Sequence, residues 1–119
     1  AFSAMMQGRA SALLIPENAM FSASRQRIAE LAISKRLPAV AGGSHFADAG
    51  SLLSYGANVG DLCRRSATVV DKILKGRKPA DLPLERAEKF ELVVNLKTAR
   101  QIGVRIPPTV LAAADRVIK

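Results

Sequence analysis

Lys89-Phe-Glu-Leu-Val-Val-Asn-Leu96 is the stretch from which the fold can be read. Phe90, Leu92 and Val94 alternate onto one face with Glu91 opposite, the period-two pattern of a strand. Asn95 is a natural cap for a short helix that ends at Gly103. Ile106-Pro-Pro-Thr109 then starts a last helix, since proline is tolerated in a first turn. Val110, Leu111, Ala114 and Val117 give that helix an apolar side. Towards the N-terminus, residues 77–86 form a proline-containing connection without periodicity. Before it, Asn58 is placed to cap a long helix, with Asp61 favourable to the helix dipole. The helix carries an apolar stripe of Val59, Leu62, Cys63, Val70, Ile73 and Leu74, and Gly76 is its candidate C-terminal cap.

Further back, Ser51-Leu-Leu-Ser-Tyr55 reads as a strand after which Gly56 turns the chain. Ser44–Ala49 has room for about one helical turn, closed by Gly50. Leu37–Ala41 is a short strand that Pro38 can only begin. Phe21, Ile28, Leu31 and Ala32 recur with helical spacing through Lys35. Ser11–Ile15 is a buried strand stopped by Pro16, with a turn at Pro16-Glu17-Asn18. Phe2, Met5 and Met6 read as a helix already under way at the first residue, so the chain is expected to be a piece of something longer. Strands alternating with helices predict an α/β fold with a largely parallel sheet and right-handed crossovers. No internal repeat and no low-complexity segment interrupts the pattern.

The 119 residues are 49% hydrophobic and 24% charged, enough for one compact domain and not two. No run approaches the roughly 18–20 apolar residues of a membrane span, and no signal peptide opens the chain. One cysteine, Cys63, and one histidine, His45, supply neither an intrachain disulfide nor a zinc site. Cys63 lies on an apolar stripe, so a buried, inert thiol is expected. The net charge of +8 suits an anionic partner, but the basic residues are scattered. Without Trp and with 4% aromatics, a stacking surface for single-stranded nucleic acid is poorly supplied.

No nucleophile–base pair, paired carboxylates or phosphate loop is present, so the chain does not read as an enzyme. His45 and Asp48 are close enough in sequence to hydrogen-bond, and a lone histidine is ordinarily a surface residue. What remains is position. In a parallel sheet, ligands gather beyond the carboxyl ends of the strands. Three such ends carry Glu17-Asn18, Gly42-Gly43-Ser44-His45 and Ser54-Tyr55-Gly56. Together they offer a carboxylate, an amide, hydroxyls, an aromatic ring and backbone N–H groups. That set suits a zwitterionic small molecule with an apolar part. Asn18 and Ser44 also serve as ordinary helix caps, and Gly43 and Gly56 as turn residues.

A longer signature runs through Val70-Asp-Lys-Ile-Leu-Lys-Gly-Arg-Lys-Pro-Ala-Asp-Leu-Pro-Leu-Glu85, Lys89–Ala99 and Gly103-Val-Arg-Ile-Pro-Pro108. It resembles the C-terminal part of ABC-transporter substrate-binding proteins of the tryptophan/tyrosine-uptake type. Ser51–Gly56 and Leu13–Asn18 fit the same family in order and spacing. The resemblance covers essentially the whole chain, but only about the last third of a typical member. It implies part of a type I periplasmic-binding-protein fold, a mostly parallel sheet flanked by helices. In that layout residues 1–50 and 86–119 belong to the C-terminal lobe. Residues 51–85 carry the hinge crossing and a helix of the N-terminal lobe.

The implied function is capture of an amino acid, aromatic or other, or a similar small organic solute outside the inner membrane for an ABC permease. It implies no cofactor, no metal, no nucleic acid and no membrane insertion. Glu17 and Asn18 would hold polar ends of the solute. Ser44 would contribute its hydroxyl or backbone N–H, and Tyr55 packing or a hydrogen bond. Where the family often has an aspartate in the first loop, this chain has Glu17-Asn18. As a fragment, the chain would expose the stripe on the helix 58–75 and form a homodimer or higher oligomer, by exchange of the segment after Gly50. Two other classes compete with this reading: a stand-alone dimerising α/β interaction module, and a basic nucleic-acid-binding module.

Overall fold

A computed structural model describes all residues, 1–119. The elements run α1 (Phe2–Gln7), β1 (Leu13–Ile15), α2 (Ala19–Ala23), α3 (Arg25–Ser34), β2 (Ala39–Ala41), α4 (Ser44–Ala49) and β3 (Leu53–Ala57). They continue with α5 (Val59–Leu74), a 3-10 turn (Pro79–Asp81), β4 (Phe90–Asn95), α6 (Leu96–Ile102), α7 (Pro108–Ala113) and β5 (Arg116–Ile118). The five strands form one sheet in the order β1-β2-β3-β4-β5. β1 and β2 are parallel, with Leu13 opposite Ala39 and Ile15 opposite Ala41. β2 and β3 are parallel in the register Ala41–Ser54, and β4 and β5 in the register Val94–Val117. This is the α/β, largely parallel architecture that the alternating sequence predicts.

Residues group into two compact units, Ala1–Gly56 with Glu91–Lys119, and Ala57–Phe90. The first unit holds the buried core. Ile15, Ala32, Ala39, Ala41 and Phe46 form one cluster, with Phe2, Leu13, Phe21 and Ile28 packed against it. Leu52, Ala99 and Ile102 form a second, flanked by Ile33, Leu53, Val104 and Ile106. Small alanines on α3 (Ala29, Ala32) and β2 (Ala39, Ala41) are all buried and let helix and sheet approach closely.

At the far end of β4 both Val93 and Val94 are fully buried. The strand is covered on two faces there, which is why the one-face alternation expected from sequence stops at Leu92. Asn95 then does three things. Its backbone N–H donates to the Leu52 carbonyl at 2.9 Å. Its side-chain oxygen accepts from the Thr98 N–H, capping α6, and its amide donates to the Ala47 carbonyl. Thr98 Oγ1 adds a bond to the Gly50 carbonyl at 3.0 Å.

Four expectations are corrected. The helix read through Phe21–Lys35 is two helices, because Ser24 takes a non-helical ψ between them. Gly56 does not turn the chain; it lies inside β3. Val117 is not on a helix but in β5. The last helix stops at Ala113, and Asp115 exchanges two bonds with Leu92, its carboxylate accepting the Leu92 N–H at 2.8 Å. That draws Arg116–Ile118 alongside β4. Cys63 is exposed, not buried, and α5 has no buried residue. Asn58 does cap α5, accepting from the Asp61 N–H at 2.9 Å.

In the second unit, Arg65 of α5 holds the returning segment. Its guanidinium pairs with Glu85 at 2.9 Å and with Glu88 at 2.8 Å. These bonds raise the arginine further above its ordinary range and hold the Glu88 carboxyl below its own. No helix of the chain is long and apolar enough to cross a membrane.

Candidate functional site

The parallel pairing of β1, β2 and β3 aligns three carboxyl ends, and the loops leaving them define the site. At the first end, β1 stops at Ile15 and Glu17-Asn18 lead into α2. Asn18 is the N-cap of α2, its side-chain oxygen accepting the Met20 N–H at 2.8 Å. At the second end, the Gly42 N–H donates to the Ile15 carbonyl at 3.1 Å. This last rung fixes the two loops side by side. Gly43 is the N-cap of α4, so Ser44 is the first helical residue and not the cap expected for it. At the third end, Tyr55 and Gly56 lie in the last turns of the pleat of β3, and Tyr55 is 59% exposed.

The glycines show how tightly these ends converge. A Cβ at Gly42 would sit 3.1 Å from the Glu17 backbone nitrogen. At Gly43 it would strike the Glu17 carboxylate and lie 2.6 Å from the His45 ring. At Gly56 it would collide with the Gly42 carbonyl oxygen. At Gly56 glycine is required by close approach of backbone to backbone, not by turn geometry, whereas at Gly43 the obstacles are the Glu17 and His45 side chains.

Ser22, which sequence reasoning left out, joins the first loop to His45 of the second. Ser22 Oγ donates to Glu17 Oε1 at 3.2 Å. His45 Nε2 lies 3.2 Å from the same Ser22 Oγ and 3.6 Å from Glu17 Oε1. The signal for Ser22 was present: with Asn18 as cap, position 22 falls one helical turn on and bonds back to the Asn18 carbonyl. The signal for His45 was its place two residues beyond a glycine pair at a strand end. The His45–Asp48 bond that their spacing allows is not formed. Asp48 instead takes both guanidinium nitrogens of Arg116, at 2.7 and 3.1 Å.

The structure thus brings Glu17, Asn18, Ser44 and His45 to two adjoining loops and sets Tyr55 on the neighbouring strand. The arrangement presents one anionic group, half exposed, inside a shell of hydroxyl, imidazole and backbone. It suits holding a small cation or zwitterion. Ser22, His45 and Glu17 do not form a hydrolytic triad, because hydroxyl and carboxylate both face the same ring nitrogen. No group of His, Cys, Asp and Glu side chains could hold a metal ion.

A parallel α/β sheet with a polar cluster at adjoining strand ends is the setting in which small ligands gather in such folds. Residues 1–118 match the family described as ABC transporter substrate binding protein, and the chain belongs to that family. Among solved structures it is similar to a conserved domain protein from Vibrio cholerae, with 23% identity and a TM-score of 0.91 over 98% of this chain. It is similar to an ABC domain from Streptococcus pneumoniae in complex with L-Trp, with 26% identity and a TM-score of 0.87 over 96% of this chain. A third is the ligand-free, open structure of a substrate binding protein with adhesive properties from Clostridium difficile. There the identity is 21% and the TM-score 0.69 over 99% of this chain. The chain spans 39% of the length of each of these structures. No curated protein matches it. Over the part spanned, the fold is the periplasmic-binding-protein fold that the sequence resemblance implied.

Proposed function

We propose that this chain supplies the strand-end wall of a solute site in an extracytoplasmic binding protein that serves an ABC permease. The solute is an amino acid, and an aromatic one fits best. One observation carries the reading. In a chain of the ABC substrate-binding family, the loops after β1 and β2 close on a half-exposed carboxylate, Glu17, and Gly56 of β3 packs on the backbone of the second loop at Gly42. Glu17 takes the solute ammonium. Asn18 and Ser44 take its polar end, and Tyr55 packs on its side chain. The L-Trp present in one similar structure supports the aromatic choice. The role is binding, without catalysis.

In the same proposal residues 1–50 and 86–119 belong to one lobe, and residues 51–85 carry a hinge crossing and a helix of the other. The grouping of residues 1–56 with 91–119, apart from 57–90, supports that division. The exposed apolar residues Val59, Leu62, Val70, Ile73 and Leu74 of α5 support self-association of the isolated chain.

The protein contains no Trp, so the change in indole emission when L-tryptophan leaves water for the site can be followed with no indole signal from the protein. Saturable binding is expected. Glu17→Gln should weaken it on the order of tenfold, the loss of one charge-assisted hydrogen bond. Equal binding by wild type and E17Q would overturn the assignment of Glu17. Absence of binding by any zwitterionic amino acid would overturn the function.

A further inference from the structure

The hydroxyl of Ser22 stands between an imidazole and a carboxylate, and it has one proton to give. That proton goes to Glu17 Oε1. His45 Nε2 must therefore carry a proton and donate it to Ser22 Oγ, which fixes the tautomer. Nδ1 is left as the nitrogen that gains or loses charge. The ring is held in place from several sides. It lies in the first turn of α4, one residue after Ser44, tilts against Phe46 at a ring-centroid distance of 4.6 Å, and faces a glycine that leaves no space for a methyl group.

The charged groups around it are few. Glu17 faces it from the loop after β1 at 3.6 Å. Arg25 of α3 and Asp48 of α4 line the same shallow cavity as His45, and Asp48 is already paired with Arg116. When Nδ1 is free, the cluster of Glu17, Ser22 and His45 has a net charge of −1. When Nδ1 is protonated, the net charge is zero and an imidazolium sits 3.6 Å from the carboxylate.

We propose that His45 is a positioning residue that orients the Glu17 carboxylate through Ser22. On taking a second ring proton it competes with the solute's ammonium group for that carboxylate, so capture weakens in mild acid. The inference rests on the amino-acid-binding reading of the site and adds its regulation. Histidine is the side chain whose ordinary titration falls between pH 5 and 8, and this protein has one. The ammonium and carboxylate of L-tryptophan keep their charges throughout.

The test has two readouts on the whole 119-residue chain. Binding of L-tryptophan is measured by its fluorescence at pH 7.5 and 5.5, in wild type and in His45→Gln. Glutamine retains an N–H donor but cannot become a cation. Wild-type affinity should fall roughly two- to fivefold between the two pH values, in keeping with a half-exposed ion pair. In H45Q the affinity should be the same at both. An unchanged wild-type affinity, or an equal fall in H45Q, would overturn the proposal. The second readout needs no ligand. Two-bond nitrogen–proton correlations of the single imidazole at pH 8 should show the Nε2–H tautomer, and Ser22→Ala should return a mixture. A mixed tautomer in the wild type would overturn the relay. If the tautomer is fixed but L-tryptophan does not bind at either pH, the amino-acid reading is what fails. The same two-pH comparison with tryptamine, which keeps only the ammonium, then decides the pH claim: unchanged affinity or no binding overturns it.

Discussion

Adding a methyl group at position 56 tests the convergence of the strand ends more directly than any polar substitution. The new Cβ would collide with the Gly42 carbonyl oxygen, a backbone atom that cannot swing away. Gly56→Ala should therefore destabilise the protein by about 3 kcal/mol, the upper end of the overpacking range. The expected readout is a lower urea midpoint with an unchanged slope. Asn95 is the opposite case, a side chain whose removal hurts. Asn95→Ala would leave the buried Thr98 N–H without its partner and take from the Ala47 carbonyl one of its two bonds, the other being to the Gly50 N–H. A loss of about 2–4 kcal/mol is expected from the cap and the lost carbonyl bond together. The hydroxyls of Ser51 and Ser54 are buried and make no hydrogen bond. Ser54→Ala should then be neutral or stabilising, within about 1 kcal/mol, in the same urea titration.

At the scale of elements, the return segment of the second unit depends on one arginine. Arg65→Ala should release residues 79–90, seen as faster amide exchange there while amides of β2 and β4 keep their protection. The pH dependence has a definite sign. Glu88 is held below its ordinary value, mainly by hydrogen bonding to Arg65. Its contribution is fully present above the ordinary glutamate range, and it disappears as the pH falls through the depressed value. Protection of this segment should hold at neutral pH and fade in strong acid. Most elements were legible because each carries its own local signal. Asn58 and Asn95 announce the starts of α5 and α6, and both caps form. β5 was not legible. Three residues give no period, and what makes Arg116–Ile118 a strand is a ladder to Val93–Asn95, twenty-three residues away in sequence. The site was partly legible for the same reason. Strand ends can be placed from sequence, but the Ser22 bridge between Glu17 and His45 requires knowing that two loops lie side by side.

At the scale of the whole chain, the two compact units differ in how their apolar surface is used. The first buries an aliphatic core and Phe46; the second leaves α5 without a buried residue. Full burial of a single Leu or Val side chain is worth roughly 1.5–3 kcal/mol, so several left in water favour association. Sedimentation at micromolar concentration should give a mass above the monomer's 12.7 kDa. The double substitution Leu62→Glu with Leu74→Glu should restore the monomer. A monodisperse monomer in the wild type would count against self-association.

The strand order of the sheet coincides with the order of the chain, β1 through β5. No strand has to be threaded between two that are already paired. A chain emerging from one end, from a ribosome or through a narrow pore, could lay each strand against its predecessor as it appears. Growth would pause once, while residues 58–89 pass between β3 and β4. During that pause the edge of β3 is the growing front of the sheet, unpaired and open to a wrong partner. A second copy of the chain, halted at the same point, would offer the same front.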